Sequence, residues 1–106
     1  MGQEKVGEII AKRELQCSGA TEPVTVLIGK PQKFSAGNDF FCPYQITGGG
    51  FNKVNHAAGI DTVQALALAL RMIGADLNFS SAGKAGQLSW IGGEGSNLGF
   101  PIPDIG

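Results

Sequence analysis

At 106 residues, 42% hydrophobic and 16% charged, the chain has material for one core and too little for two, since compact domains most often run ~100–150 residues. Eight basic against nine acidic residues give a formal charge of −1, which argues against a nucleic-acid binder whose affinity rests on neutralising phosphates. Nothing approaches the ~20 apolar residues of a membrane span, and two cysteines with one histidine are too few for a zinc site.

The start, "MGQEKVGEIIAKREL", has no continuous apolar core after its charges and does not read as a secretory signal. Val6 stands where a myristoylation signal wants Ser or Thr. The expectation is a cytoplasmic protein with no membrane anchor, with Cys17 and Cys42 reduced. From Glu8 to Cys17, Ile9, Ala11, Leu15 and Cys17 share one parity while Lys12, Glu14 and Gln16 share the other, which predicts a strand with one wet face; a short helix over Lys5 to Leu15 is the alternative. "SGATEP" breaks the chain, and "VTVLIG" follows with Val24, Val26 and Ile28 on one side, so the two segments predict an antiparallel hairpin.

"KPQKFSAGN" is a loop. "DFFCPYQIT" returns to alternation with Phe40, Cys42, Tyr44 and Ile46 in phase. Pro43 has no ladder donor, which predicts an edge strand or a bulge there. A glycine triplet then leads into "FNKVNHAAG", a fourth strand. The stretch "DTVQALALALRMIGADL", Asp61 to Leu77, is a helix with good start chemistry: Asp61 as N-cap and Gln64 reaching back to the cap amide. At 100° per residue Val63, Leu66, Ala67, Leu70, Ile73 and Leu77 form the predicted core face. The opposite face carries Ala65, Leu68, Ala69 and Met72, with Asp76 at its lower end, and only Gln64 and Arg71 make a thin polar strip between the two.

Beyond the helix, "LNFS" and "QLSWI" flank "SAGKAG" and predict a further hairpin. "LGFPIPDIG" is extended, because two prolines two apart forbid a helix. The fold class is therefore α+β: one domain over 1–106, an antiparallel sheet of about five to six strands with one main helix packed on one face. Leaving Leu68 and Met72 in water would forgo ~1.5–3 kcal/mol each. The candidate covers are the chain's own Gly-rich C-terminal stretch with Trp90 or Phe100, a second copy, or another protein.

No chemistry-bearing motif emerges. "GGEGSNLG" has glycines but no following helix and no Lys-Ser or Lys-Thr pair, so it is no phosphate cradle. A nucleophile would need a positioned base, and the only histidine, His56, belongs with Cys42 only if the fold brings them together. No catalytic residue, metal ligand or cofactor is expected.

The segments "PVTVLIGKP", "FFCPYQI", "AAGIDTVQALALALRMIGADL" and "LGFPIP" together resemble a family of small bacterial proteins classed as a domain of unknown function. The likeness covers about Ile10 to Pro103, and its most specific parts are the Cys-Pro-Tyr strand and the Asp-x-x-Gln-Ala-Leu helix start. By size, compartment and missing chemistry the chain also resembles bacterial toxin-immunity proteins. That resemblance implies a non-enzymatic protein that covers a toxin's active site, a nuclease being one such toxin, with Glu94, Asn97, Phe100 and Asp104 of the mildly acidic C-terminal segment as the contact residues. The alternatives are a homodimeric accessory domain joined through Leu68 and Met72, and a small enzyme or ligand-binding domain with a pocket between sheet and helix.

Overall fold

The computed structural model describes residues 6–90 and 97–101. In chain order these form β1 (Ile9–Cys17), β2 (Val24–Gly29), β3 (Gln32–Lys33), β4 (Phe40–Gly48), β5 (Phe51–Gly59), α1 (Thr62–Asn78), α2 (Ser81–Lys84), β6 (Leu88–Ser89) and a 3-10 turn at Asn97–Gly99. The six strands make one antiparallel sheet: β5 lines one edge of β4, β2 and β3 share its other edge, and β1 and β6 follow beyond β2. α1 packs on one face, over β4 and β5. This is the expected α+β arrangement of six strands and one main helix.

Alternation sets the faces. Leu15 of β1, Val24, Val26 and Ile28 of β2, and Cys42, Tyr44 and Ile46 of β4 point toward the helix and are buried with Ile73 and Leu77 in a single cluster. At the β4–β5 hairpin, Gly49 and Gly50 both have positive φ, 57° and 91°, as a two-residue type I′ loop requires, and that loop fixes the register of nine consecutive pairs from Phe40↔Gly59 to Gly48↔Phe51.

Three expectations are corrected. Pro43 sits in a central strand whose pairing with β5 is unbroken, neither at an edge nor at a bulge of its own. Its missing donor is harmless because β2 ends at Gly29 and β3 begins at Gln32, so the neighbouring strand is interrupted opposite it. The hairpin expected around "SAGKAG" is absent: Leu77 and Asn78 close α1, and Ser80 caps the short α2 by accepting from Gly83 N at 3.0 Å. Only Leu88–Ser89 becomes a strand, paired with Gln16 and Cys17 of β1.

The third correction concerns the helix. Its buried line is Ala65, Ala69, Ile73 and Leu77, joined by Gly74, whereas Val63 is 74% exposed and Ala67 is exposed. The volume over β4 is already filled from below by Tyr44 and Ile46, so the helix presents alanines there and comes close. Gly59 shows how close: a Cβ on it would lie 2.5 Å from Ala65 N. Asp61 caps as expected, accepting from Gln64 N at 2.7 Å, but the Gln64 side chain accepts from Ile60 N at 2.8 Å rather than from the cap amide. The rotation of the face brings Leu68 and Met72 against the core, each half-buried.

Candidate functional site

The face of the sheet away from α1 mixes exposed, half-buried and buried apolar groups, Val54, Leu27 and Pro43 among them. By alternation it carries Lys12 and Glu14 of β1, Thr25 and Leu27 of β2, Phe41, Pro43, Gln45 and Thr47 of β4, and Asn52, Val54, His56 and Ala58 of β5. The register lines Lys12, Leu27, Gln45 and Val54 in one row across four strands. Phe34, held by a bond from its amide to Asp39 O at 3.0 Å, adds a ring at one end: it lies 4.9 Å from Phe41 and 6.1 Å from His56, and Phe41 lies 5.7 Å from His56. Val6 also reaches over this face, where its backbone meets Gly29 and excludes a side chain there. Val54 is 44% exposed, and Leu27, Phe34 and Phe41 are half-buried.

Gln45 is at the centre of this row, 6% exposed, and its Oε1 has no hydrogen-bond partner. A buried acceptor left unmade costs ~1–3 kcal/mol. The sequence carried a signal for the whole face: "FFCPYQI" is apolar on both parities, the pattern of a strand with company on both sides.

On the helix side the polar groups are paired. The Tyr44 hydroxyl donates to Asp76 Oδ2 at 2.5 Å, and Lys53 Nζ reaches Asp76 Oδ1 at 2.9 Å. Burial, reinforced by the hydrogen bond to Asp76 and by its charge, pushes the Tyr44 phenol well above its ordinary value, while a hydrogen bond with Asn55 opposes the shift. This arrangement ties the end of α1 to β4 and β5. Cys42 and His56 do not meet: Cys42 faces the helix, opposite Ala57, while His56 is opposite Pro43 and faces away. The buried Cys42 thiol donates weakly to Gly29 O at 3.5 Å, and desolvation raises its pKa to about 11. That thiol is a core group and not a nucleophile.

The tail docks on the far side of the helix from Leu68 and Met72. The Arg13 guanidinium lies between the rings of Trp90, 3.7 Å from its centroid, and Phe100, at 4.9 Å, and donates to Leu98 O at 3.1 Å. Phe100, expected as a contact residue, is 7% exposed; its ring faces Arg13 while its Cβ and the Pro101 backbone press on Gly74, so it offers no surface to a partner. Glu94, Asp104 and the side chain of Asn97 lie outside the described residues. The cover expected from Trp90 and Phe100 therefore exists, but over Leu70 and Gly74 instead of over Leu68 and Met72.

A cleft of about 250 Å³ lies between sheet, helix and tail, lined by Ala11, Arg13, Ile28, Leu70 and Phe100. It is below the ~300–1,000 Å³ of small-molecule sites. A larger open depression of about 540 Å³ by the β1–β2 turn is bounded by Glu14, Cys17, Glu22 and Pro23. Among the described residues no group of His, Cys, Asp or Glu has the geometry to hold a metal ion, and no helix is long and apolar enough to cross a membrane.

No curated protein and no solved structure matches the chain. A family match does exist, and it spans β1 through the docked tail, including the Cys-Pro-Tyr strand and the capped start of α1: over residues 11–102 the chain belongs to the family described as Domain of unknown function (DUF6968).

Proposed function

We propose that this chain is a non-enzymatic protein-binding protein whose partner sits on the sheet face opposite α1. The observation that carries the reading is the row Leu27, Gln45 and Val54 with the Phe34–Phe41–His56 cluster at its end. Leu27, Val54, Phe34 and Phe41, with Lys12, Glu14, Asn52 and Thr47 beside them, give the mix of apolar and polar groups that interfaces use. Residues on paired strands hold their positions without further ordering, which lowers the entropic cost of association.

In its most concrete form the partner is a bacterial toxin domain, a nuclease among the candidates, and the chain is the immunity protein that covers its active site. Support for this form comes from the small, self-contained scaffold and from the acidic residues Glu94 and Asp104, which would speed encounter with a basic enzyme. The test is co-expression with the C-terminal domain encoded by the neighbouring reading frame. The wild-type chain should restore growth, and Leu27→Glu and Phe41→Glu should each abolish rescue while remaining folded. A neighbouring frame with no toxic product, or no rescue, ends the immunity form; rescue and binding unchanged in both variants ends the assignment of this face.

A further inference from the structure

The outer edge of β5 is nine residues long, Phe51 to Gly59, and its pairing with β4 runs without a register shift. Pro43 cannot donate, so the pair Pro43↔His56 cannot exchange two hydrogen bonds, and alternation then makes Asn52, Val54, His56 and Ala58 the residues whose N–H and C=O point outward. Natural edges are blunted by proline, bulges or free lysines. This one has neither proline nor bulge, and its single lysine, Lys53, is held on the helix side by Asp76. Among the described residues, the one partner found for an outward N–H group is the Asn55 side chain, which accepts from His56 N at 2.8 Å.

The helix completes the wall above this edge. α1 runs antiparallel to β5, from Ala65 over Gly59 to Asp76 beside Lys53, so Met72 stands near the level of Asn55. The tail occupies the Leu70–Gly74 side, toward β1; Leu68 and Met72 therefore lie on the opposite side, above the β5 edge, half-buried and uncovered by the described tail.

We propose that this wall binds a second copy of the chain, β5 pairing antiparallel with its two-fold mate about Asn55. That register joins Asn52 to Ala58 and Val54 to His56 of the mate, using all four outward residues of each copy; the Val54 carbonyl of the mate takes over the His56 N–H from Asn55. Helices above the β4–β5 gaps would then be two strand spacings apart, ~9.6 Å, within the 8–10 Å of packed helices. Met72 would meet its mate across the axis, with Leu68 packed toward Ala75 of the mate. The wall is about 30 Å long, from nine residues at ~3.4 Å, and the molecule is 22 Å thick. Two such walls bury ~1,300 Å², within the ~1,200–2,000 Å² of stable pairs. This contact uses the outward backbone of Val54 and His56, whose side chains belong to the proposed partner face, but it does not depend on that reading.

The test is solution mass by light scattering and sedimentation across micromolar concentrations, on the full chain. Wild type should run at twice the 11.0 kDa chain mass. Met72→Glu and Val54→Pro, which removes an outward N–H while sparing the β4 ladder, should each raise the dimer dissociation constant about a hundredfold or more with circular dichroism unchanged. Asn55→Cys should oxidise to a covalent dimer, since the two-fold places that residue opposite itself. Should Met72→Glu fail to fold, Val54→Pro and the cross-link decide. A monomeric wild type overturns the proposal, as does a dimer that survives Val54→Pro and gives no Asn55→Cys cross-link.

Discussion

Gly74 gives a substitution whose sign reports whether the tail is docked. In the interior of a helix, Gly→Ala gains about 1 kcal/mol from backbone entropy and propensity, and an undocked helix would show that gain. Here a Cβ would stand 2.3 Å from Pro101 O and 3.2 Å from Phe100 Cβ. Backbone at that distance cannot yield by a rotamer change, so the tail must lift, releasing Phe100 from its buried site and from the Arg13 stack. Lifting should cost what truncating a buried phenylalanine costs, about 3 kcal/mol. Set against the helix gain, Gly74→Ala should destabilise the fold by about 2 kcal/mol. Urea titration measures this, and the single tryptophan, Trp90, stacked on Arg13 beside Gly99, reports the tail through its emission. In a Phe100→Ala background the same change should turn stabilising, because that tail has little left to lose. A Gly74→Ala chain that is more stable by about 1 kcal/mol, with Trp90 emission unchanged, would refute the docked tail.

Two further outcomes follow from buried polar groups. Burial raises the Cys42 thiol from 9.0 to about 11, so the folded state holds its proton where the unfolded chain has lost it. The associated stability is complete below pH 9 and fades as pH rises toward about 11, a loss of order 2 kcal/mol that Cys42→Ala should remove from the urea midpoint measured against pH. Asp76→Ala strips the Tyr44 hydroxyl and Lys53 of their shared acceptor and should destabilise by ~1–3 kcal/mol. Lys53→Ala, at a half-exposed pair, should cost under ~1 kcal/mol, and equal losses in the two variants would show that the Tyr44 bond contributes nothing.

Much of the sheet was legible in the sequence because its side-chain period is 2 and its turns are written in glycine and proline. The first four long strands and the capped start of α1 fall where alternation and the Asp61–Gln64 spacing put them. What misled was weight. Large residues at Val63, Leu66 and Leu70 define the helix's most hydrophobic face, yet the sheet selects Ala65 and Ala69 because Tyr44 and Ile46 already fill the space beneath. Pro43 looked like an edge because its own strand was considered without the chain opposite, and the interruption between Gly29 and Gln32 is a property of that neighbour. The row across the outer face was hidden for a related reason: Leu27, Gln45 and Val54 are far apart in sequence and meet only through register.

The near-absence of a polar face on α1 follows from this geometry. A helix at the middle of a sheet has one apolar stripe, toward the strands. α1 lies off-centre, over β4 and the edge strand β5, so on its inner side there is a trough above β1 and β2 that only another segment can fill. Leu98 to Pro101 fill it, against Leu70 and Gly74, with Arg13 as the fastener. On its outer side the same displacement brings the helix flank level with the sheet edge, so Leu68 and Met72 extend the β5 edge upward into one wall. A helix placed over the centre of the sheet would have no such wall, and an edge without the helix above it would offer hydrogen bonds with little apolar area to hold them. The apolar flank and the unblunted strand are therefore one feature, and a substitution at Met72 and one at Val54, on different elements, should act on the same equilibrium.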